Sequence, residues 1–495
     1  MTMRYQATFL SEADRDRVHE QSLRILDEIG VRFHGERALP LLEAAGARVD
    51  RETGIARIPR SLVESALASA PTSVVLGARD PRHDYPLPSP VTRYGLDGTA
   101  AFARDFETGE RRYGTRRDVE LGCRVFGAAD MGVLAWPPVA ASDMPSASRP
   151  LHEFATMLRA CAKHGQHELH TRAQAPFLAE VLRVVFGGEA AVRERHPASV
   201  VYCPVAPLTH DGPMLDAYLD LGDLDLPVML MPMPIAGSTG PAGLFANVSL
   251  ANAEALSSIV VFQLAHPGRP TIYSSCVASM DFRTGGFLGG TPEAGIQSAV
   301  LTTMGHSYGL PTTSSGCASD AHDVGAEAII DKLMTMLPPL SAGSSIVVGF
   351  GEIDGDQTLV LEQILVDNEL AHLCERLFDG MATGPDAGLF DEIVAAGPSG
   401  DVLVSETTRR AARSGEFYLP GLLGRLSREA WLGSGSPSMY DRARDRVREI
   451  IEAPPADPLP EATAIELDRV LAEADQELGA RSAEATARSP AVAMT

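Results

Sequence analysis

Seven apolar runs between residues 132 and 353 constrain the fold of this chain more than any other feature. They are "GVLAWPPVA", "HELHT", "SVVYCPVAP", "VMLMPMPIAG", "TIYSSCVAS", "LPTTSSG" and "SIVVGFGEI". Each ends in glycine, proline or polar residues, and amphipathic stretches separate them. Continuous apolar strands alternating with helices mean parallel strands buried on both faces and joined by right-handed crossovers. The rhythm begins near Tyr94. About seven or eight such units over roughly 280 residues predict a (β/α)8 TIM barrel rather than a doubly wound sheet. No G-x-G-x-x-G follows any run, which further disfavours a dinucleotide fold. The barrel is assigned to residues 91–385.

Its flanks read differently. Residues 1–90 are predicted to form an α-rich extension. Ser11 and Asp14 open a helix, Val18, Ser22, Ile25 and Ile29 continue it, and Gly30 ends it. Residues 386–480 are predicted to be a helical extension, in which Ala464, Leu467, Leu471, Ala474 and Leu478 mark a docking helix. Residues 481–495, rich in Ala, Ser and Arg, are predicted to be disordered.

A net charge of −23 excludes nucleic acid or an anionic membrane as the main partner. The N-terminus lacks the apolar core of a signal peptide, and no run of about 18 apolar residues suggests a span. Six scattered cysteines with no C-x-x-C pair read as reduced thiols, and the chain is expected to be cytoplasmic.

In a barrel, chemistry sits where strands end. That rule selects Trp136, His170, Tyr202, Tyr273, Arg283, Cys317, Asp320, Phe350 and Glu352, with Tyr94 on the first strand. The glycines of "PIAGSTGPAG", Gly237 and Gly240, could offer backbone N–H groups to a carboxylate or phosphate, or form only a permissive turn. Aromatic, methionine and acidic side chains with few lysines suit a methylated cation better than a phosphate ester. "DAHDVG" spells D-x-H-x-x-G, a corrinoid-binding pattern, but without its companion motifs it reads as coincidence. A metal site at Asp320, His322 and Asp323 lacks a second ligand cluster, so no metal is assigned.

Several co-linear segments resemble the trimethylamine methyltransferase family of corrinoid-dependent amine methyltransferases. They include "HEQSLRILDEIGVRFHGERALPLLEAAGARVD", "RIPRSLVESALASAP", "APLTHDGPMLDAYLDL", "PMPIAGSTGP", "MDFRTGGFLGGTPE", "SYGLPTTSSGCASDA" and "WLGSGSPSMYDRARDRVREII". The resemblance implies a barrel that moves a methyl group from a methylated amine to the Co(I) of a separate corrinoid protein. The enzyme itself would hold no tightly bound cofactor, and a homo-oligomer is expected. The trimethylamine enzymes carry pyrrolysine; this chain has ordinary residues throughout, and Cys317 stands nearest the equivalent place. Pyrrolysine-free relatives are similar to the glycine betaine type, which demethylates quaternary amines.

Chemistry agrees with a quaternary substrate, because such a nitrogen departs as a neutral amine and needs no general acid. The protein must hold the cation, orient one methyl group and exclude water. On this reading Trp136, Tyr94, Tyr202, Tyr273 and Phe350 surround the cation, and Asp320 or Glu352 balances its charge. Cys317 lines the pocket, while His170, Arg283 or the Gly237–Gly240 amides meet a substrate carboxylate. A trimethylamine-type substrate, a barrel lyase or aldolase using Cys317 or a lysine, and a non-catalytic betaine-binding protein are the alternatives.

Overall fold

The computed structural model of the chain describes residues 7–381 and 390–488. Eight parallel strands form its centre: β1 (Arg93–Leu96), β2 (Gly132–Ala135), β3 (His164–His167), β4 (Ala198–Tyr202), β5 (Val228–Leu230), β6 (Thr271–Tyr273), β7 (Thr313–Ser315) and β8 (Ile346–Phe350). Neighbours in the chain pair in parallel and β8 pairs back onto β1, with register shifts in the two ladders that β1 makes. A single parallel bridge, Tyr273 to Thr312, closes the remaining β6–β7 seam. Each strand is followed by a helix: α1 (Arg116–Gly127), α2 (Arg149–Ala160), α3 (Ala175–Phe186), α4 (Gly212–Asp220), α5 (Leu244–Ala265), α6 (Pro292–Ser307), α7 (Ala326–Ser341) and α8 (Leu361–Phe378). The alternation read from the sequence is therefore a (β/α)8 barrel.

Two features differ from the sequence reading. The third barrel strand is "HGQH", three residues before the expected "HELHT". All four of its residues are buried. Polar side chains survive there because each finds a partner. His164 bonds the Gly77 carbonyl and Ser199, at 2.7 and 2.9 Å, and His167 bonds Glu153 at 3.0 Å. Helix α5 is long and apolar enough to cross a bilayer, contrary to expectation, but most of it is buried among the other elements.

In the N-terminal extension the helix Glu12–Arg24 starts at Ser11, whose hydroxyl accepts the Asp14 N–H at 3.1 Å. Its continuation ends at Gly30, at φ +88°, where a Cβ would lie 2.7 Å from the Ala56 carbonyl. The extension is not simply α-rich. Strands Val31–Phe33, Arg48–Asp50 and Ile55–Arg57 make a sheet with Thr209–His210, which follows β4 and so fastens the extension to the barrel.

At the other end, the helix Met439–Glu452 packs on α8, where Arg444 pairs with Glu362 at 2.7 Å. The predicted docking helix is Glu461–Arg488, with Leu467, Leu471, Ala474 and Leu478 buried against α3 and its neighbours. It continues through residues 481–488, where disorder was expected; residues 489–495 lie outside the described residues.

One ion pair ties the last two strands to the last two helices. Lys332 of α7 and Asp367 of α8 are completely buried and meet at 2.9 Å. The Lys332 ammonium also donates to the carbonyls of Cys317 and Gly349, at 2.7 and 3.1 Å. Asp367 accepts the Gly351 N–H at 2.8 Å and the Gln363 amide at 2.7 Å. Burial alone would push the lysine pKa down; Asp367 overrides it and holds the ammonium charged. Removing one member leaves the other charge buried and unpaired, which costs about 3–5 kcal/mol. Asp367→Asn and Lys332→Met are each expected to lower stability by about that much in denaturant titrations. The double replacement should cost less than the sum, and equal, additive losses would show that the pair is not coupled.

Candidate active site

The C-terminal ends of the strands carry a group of acids. Asp97 follows β1, and Glu352 and Asp356 follow β8. Carboxylate oxygens of all three lie within 4.8 Å of one another. Glu352 is buried, whereas Asp97 and Asp356 are half-buried and open to the barrel mouth. Glu352 Oε1 and Asp356 Oδ1 are out of solvent and receive no hydrogen bond among the described residues. Glu168, one residue beyond β3, is also half-buried.

These positions do not suit three negative charges. Two unit charges 4.8 Å apart repel by roughly 3 kcal/mol at an effective dielectric constant of 20. Burial pushes Asp97 up to about 6, and Glu352 and Asp356 rise well above the usual carboxylate range through burial first and then their acidic neighbours. Burial likewise raises Glu168, opposed by His167 and His170. The nearest buried cation, Lys332, is committed to Asp367. The cluster must therefore carry protons or accept a cation from outside. Oxygen donors in this arrangement would also accept a hard metal ion.

Few of the sequence-selected residues reach this mouth. Tyr94 and Phe350 are fully buried, stack at 5.1 Å, and Phe350 meets Phe126 of α1 edge-on. Tyr202 bonds His210 at 2.7 Å and packs on Tyr218 and Phe262, while Tyr273 donates to Asn252 of α5 at 2.7 Å. These four rings face the helices, not the substrate end, so the expected aromatic cage is not formed by them. Trp136 is at the strand end, but it is 3 % exposed and its ring lies under Gly98, where a Cβ would sit 2.5 Å from the indole.

Cys317 is fully buried with its sulfur 3.8 Å from Lys332, and burial holds its thiol far above the usual range; it is neither a pocket wall nor a nucleophile. Asp320 spends both oxygens on a loop, accepting the N–H groups of Gly289 and Gly290 at 2.8 and 2.9 Å. Arg283 is exposed and bound to Asp281 at 3.1 Å. Gly237, at φ +93°, donates to the Gly240 carbonyl, and Gly240 donates to Ile235, both at 3.0 Å. Their amides close a turn and are not free for a carboxylate. His322 is on the surface against Asp354. His170 is exposed beside Glu168. Glu352 alone of the proposed charge-bearing residues sits in the cluster.

Asp97, Asp356 and a hairpin were missed. Ala278–Met280 and Phe287–Leu288 pair antiparallel. The Phe287 ring approaches Gly355 and Gly289, and Phe282 approaches Gly237. Both rings are exposed, Phe282 at 71 % and Phe287 at 40 %, and Phe287 lies near the loop that carries Asp356. Aspartate directly after a strand ("YGLD") and the doublet in "GEIDGD" were the available signals. Cys203 and Cys276, half-buried at strand ends, are held protonated by burial, then by Glu168 and by Asp356 respectively.

A cleft of about 590 Å³ lies at the other end of the barrel, lined by Asp130, His372, Tyr418 and Arg442 among others. Its charges answer one another, His372 bonding Asp130 at 2.8 Å.

Because a cation binds the cluster only as protons leave it, affinity for a permanent cation such as tetramethylammonium should rise as pH climbs through about 6. Without ligand the sign reverses. The folded chain keeps a proton on Asp97 that the unfolded chain has lost, so stability should fall as pH rises from 3.8 to about 6. Calorimetry across pH 5–8 checks the first trend, and Asp97→Asn should flatten it; a pH-independent affinity would remove the cluster from binding.

Residues 3–479 match the family described as trimethylamine methyltransferase (MTTB). Trimethylamine methyltransferase MttB of Desulfitobacterium hafniense strain DSM 10664 / DCB-2 is 28% identical over 462 residues, covering 93% of each chain. Glycine betaine methyltransferase of D. hafniense strain Y51 is 29% identical over 455 residues, covering 90% of this chain and 93% of that one. Among solved structures, the crystal structure of the hydroxylamine MtmB complex superposes with a TM-score of 0.50 and 11% identity, covering 90% of this chain and 88% of that one, a likeness of fold.

Proposed function

The chain belongs to the trimethylamine methyltransferase family, and on that premise we propose that it takes a methyl group from a small quaternary amine and delivers it to a corrinoid held by a separate protein. The observation that carries this reading is the cluster of Asp97, Glu352 and Asp356, three converging carboxyls whose charge is unbalanced. A methylated ammonium ion supplies the missing charge without needing a hydrogen bond. A monocation balances one negative charge, so as it binds one carboxyl gives up its proton and holds the cation at the barrel mouth, while the others stay protonated. Recognition of the cation is then by carboxylates more than by rings.

The corrinoid, when its protein is docked, supplies a Co(I) nucleophile for in-line displacement of the methyl group. The mouth suits such a delivery, since Met233, Val205, Phe282 and Phe287 expose apolar surface around it. The residues of this chain bind and orient. The acids fix the nitrogen, and Phe282 and Phe287 on the hairpin can shield it from water. No general acid is required, so the protonated Cys203 and Cys276 remain spectators.

A carboxylate on the substrate, as in glycine betaine, is repelled by the cluster and is turned outward to the rim, where His170 is exposed. Glycine betaine is the favoured substrate by likeness to the named relative; trimethylamine is the alternative in the same reaction. Free cysteines throughout the described chain support a cytoplasmic setting.

Purified chain, a corrinoid protein reduced to Co(I) and a panel of glycine betaine, tetramethylammonium and trimethylamine should give the absorbance change of corrinoid methylation with at least one. Asp97→Asn and Glu352→Gln should each lower kcat/KM by about 10- to 100-fold. No transfer from any methylated ammonium would overturn the reading. Competition of substrate by calcium or magnesium at micromolar levels would assign the cluster to a metal instead.

A further inference from the structure

Residues 390–437 contain no buried side chain. Ten large apolar residues in this arm are at least half exposed, Phe390, Ile393, Leu403, Val404, Phe417 and Leu419 among them. The arm is nonetheless built. Short helices Glu406–Ala411 and Arg428–Gly433 carry Ser405 and Ser427 as N-caps, at 3.0 and 3.2 Å. Its later part is fastened to α8, where Glu369 accepts the N–H groups of Gly421 and Leu422 at 3.1 and 3.0 Å. Ten such side chains expose on the order of 1,000 Å² of apolar surface. A typical monomer's largest patch is roughly 300–600 Å², and a stable interface takes roughly 800 Å² from each partner.

A matching surface exists on the same chain. On the outer faces of α6 and α7, Ile296, Ile330 and Met334 are 40, 58 and 40 % exposed. Ile330 and Met334 are one turn apart, and exposed Glu293 and Glu327 precede the two isoleucines by three residues on the same faces. The sole lysine or arginine on these helices is Lys332, which is buried. The wall is therefore apolar and acidic. The arm is apolar and nearly neutral, with five arginines against six acids in a chain of net charge −23. Arg409, Arg410 and Arg413 are exposed together on it. Within one chain the arm leaves this wall uncovered.

We propose that the arm, residues 390–437, lies across the α6–α7 wall of a second copy of this chain, so that these two surfaces form the contact between copies. Both halves of the interface are then encoded in one sequence, as a closed symmetric assembly requires. Leu403, Val404 and their neighbours cover Ile296, Ile330 and Met334, and the arm arginines meet Glu293 and Glu327. The proposal is independent of the methyl-transfer reading.

Light scattering on the purified full chain should give a mass of at least two chains. Leu403→Asp with Val404→Asp, and separately Ile330→Glu, should each weaken association by more than about a hundredfold, with circular dichroism unchanged. Arg410→Glu with Arg413→Glu should also weaken it. Mixing that variant with a Glu293→Arg, Glu327→Arg variant should restore mixed assemblies, which an arm-to-arm contact would not do. Should the aspartate variants misfold, a photo-crosslinker at Leu403 reports on the intact surface, and its product should map to residues 292–341 of another copy. A single-chain mass for the unmodified protein, unchanged assembly in the arm variants, or crosslinks elsewhere would overturn the proposal.

Discussion

The ion pair between Lys332 and Asp367 is the constraint on which the substrate end of this barrel depends. It is buried completely and spans two helices, yet its hydrogen bonds go mostly to backbone at the ends of β7 and β8. There the strands converge so closely that a Cβ on Gly349 would lie 1.8 Å from the Gly316 carbonyl. Gly349, at φ +141°, is the residue type that permits this. Two carbonyls turned inward at such a place need a donor that water cannot supply. A lysine reaching from α7 provides it, and an aspartate on α8 keeps the lysine charged. The Gly351 N–H that Asp367 accepts lies one residue before Glu352, so the position of the acid cluster is inherited from this pair.

The cluster and its anchor follow opposite electrostatic logic. Lys332 and Asp367 neutralise each other inside the wall, and the arrangement asks nothing of solvent. Asp97, Glu352 and Asp356 face one another with no cation among them, so the free protein holds protons where a substrate would bring charge. Binding then exchanges one proton for one permanent cation. The surrounding net charge of −23 works in the same direction, raising the local concentration of cations near the mouth. A protonated amine competes with this exchange through its own titration; a quaternary one does not.

The architecture was legible because periodicity and caps report directly on burial. The barrel alternation, the helix opening at Ser11 and the docking helix over Leu467–Leu478 all appear in the structure. The site was legible only in part, and the reason is geometric. Parallel strands buried on both faces have no polar alternation, so nothing in "RYGL" or "TIY" tells which ring faces helices and which faces the barrel axis. Tyr94, Tyr202, Tyr273 and Phe350 all take the helix side. The stretch "SSGCASDAHD" shows the same limit. Its chemistry-bearing residues part company within a few positions, with Cys317 in the core, Asp320 clasping Gly289 and Gly290, and His322 on the surface. Asp97 and Asp356 escaped notice because a lone aspartate after a strand is common; only the closure of β8 onto β1 brings them together.

That closure also connects the site to the outer wall. Helices α6 and α7 begin at the substrate end of the barrel, just after the two loops that Asp320 joins. Gly295 of α6 sits so close to α7 that a Cβ would lie 2.5 Å from the Met334 carbonyl, so the two helices are tightly packed there. Phe287 reaches from the hairpin before α6 toward Gly355, next to Asp356. A partner arm resting on Ile296 and Ile330 therefore bears on the scaffold that holds the hairpin over the acids.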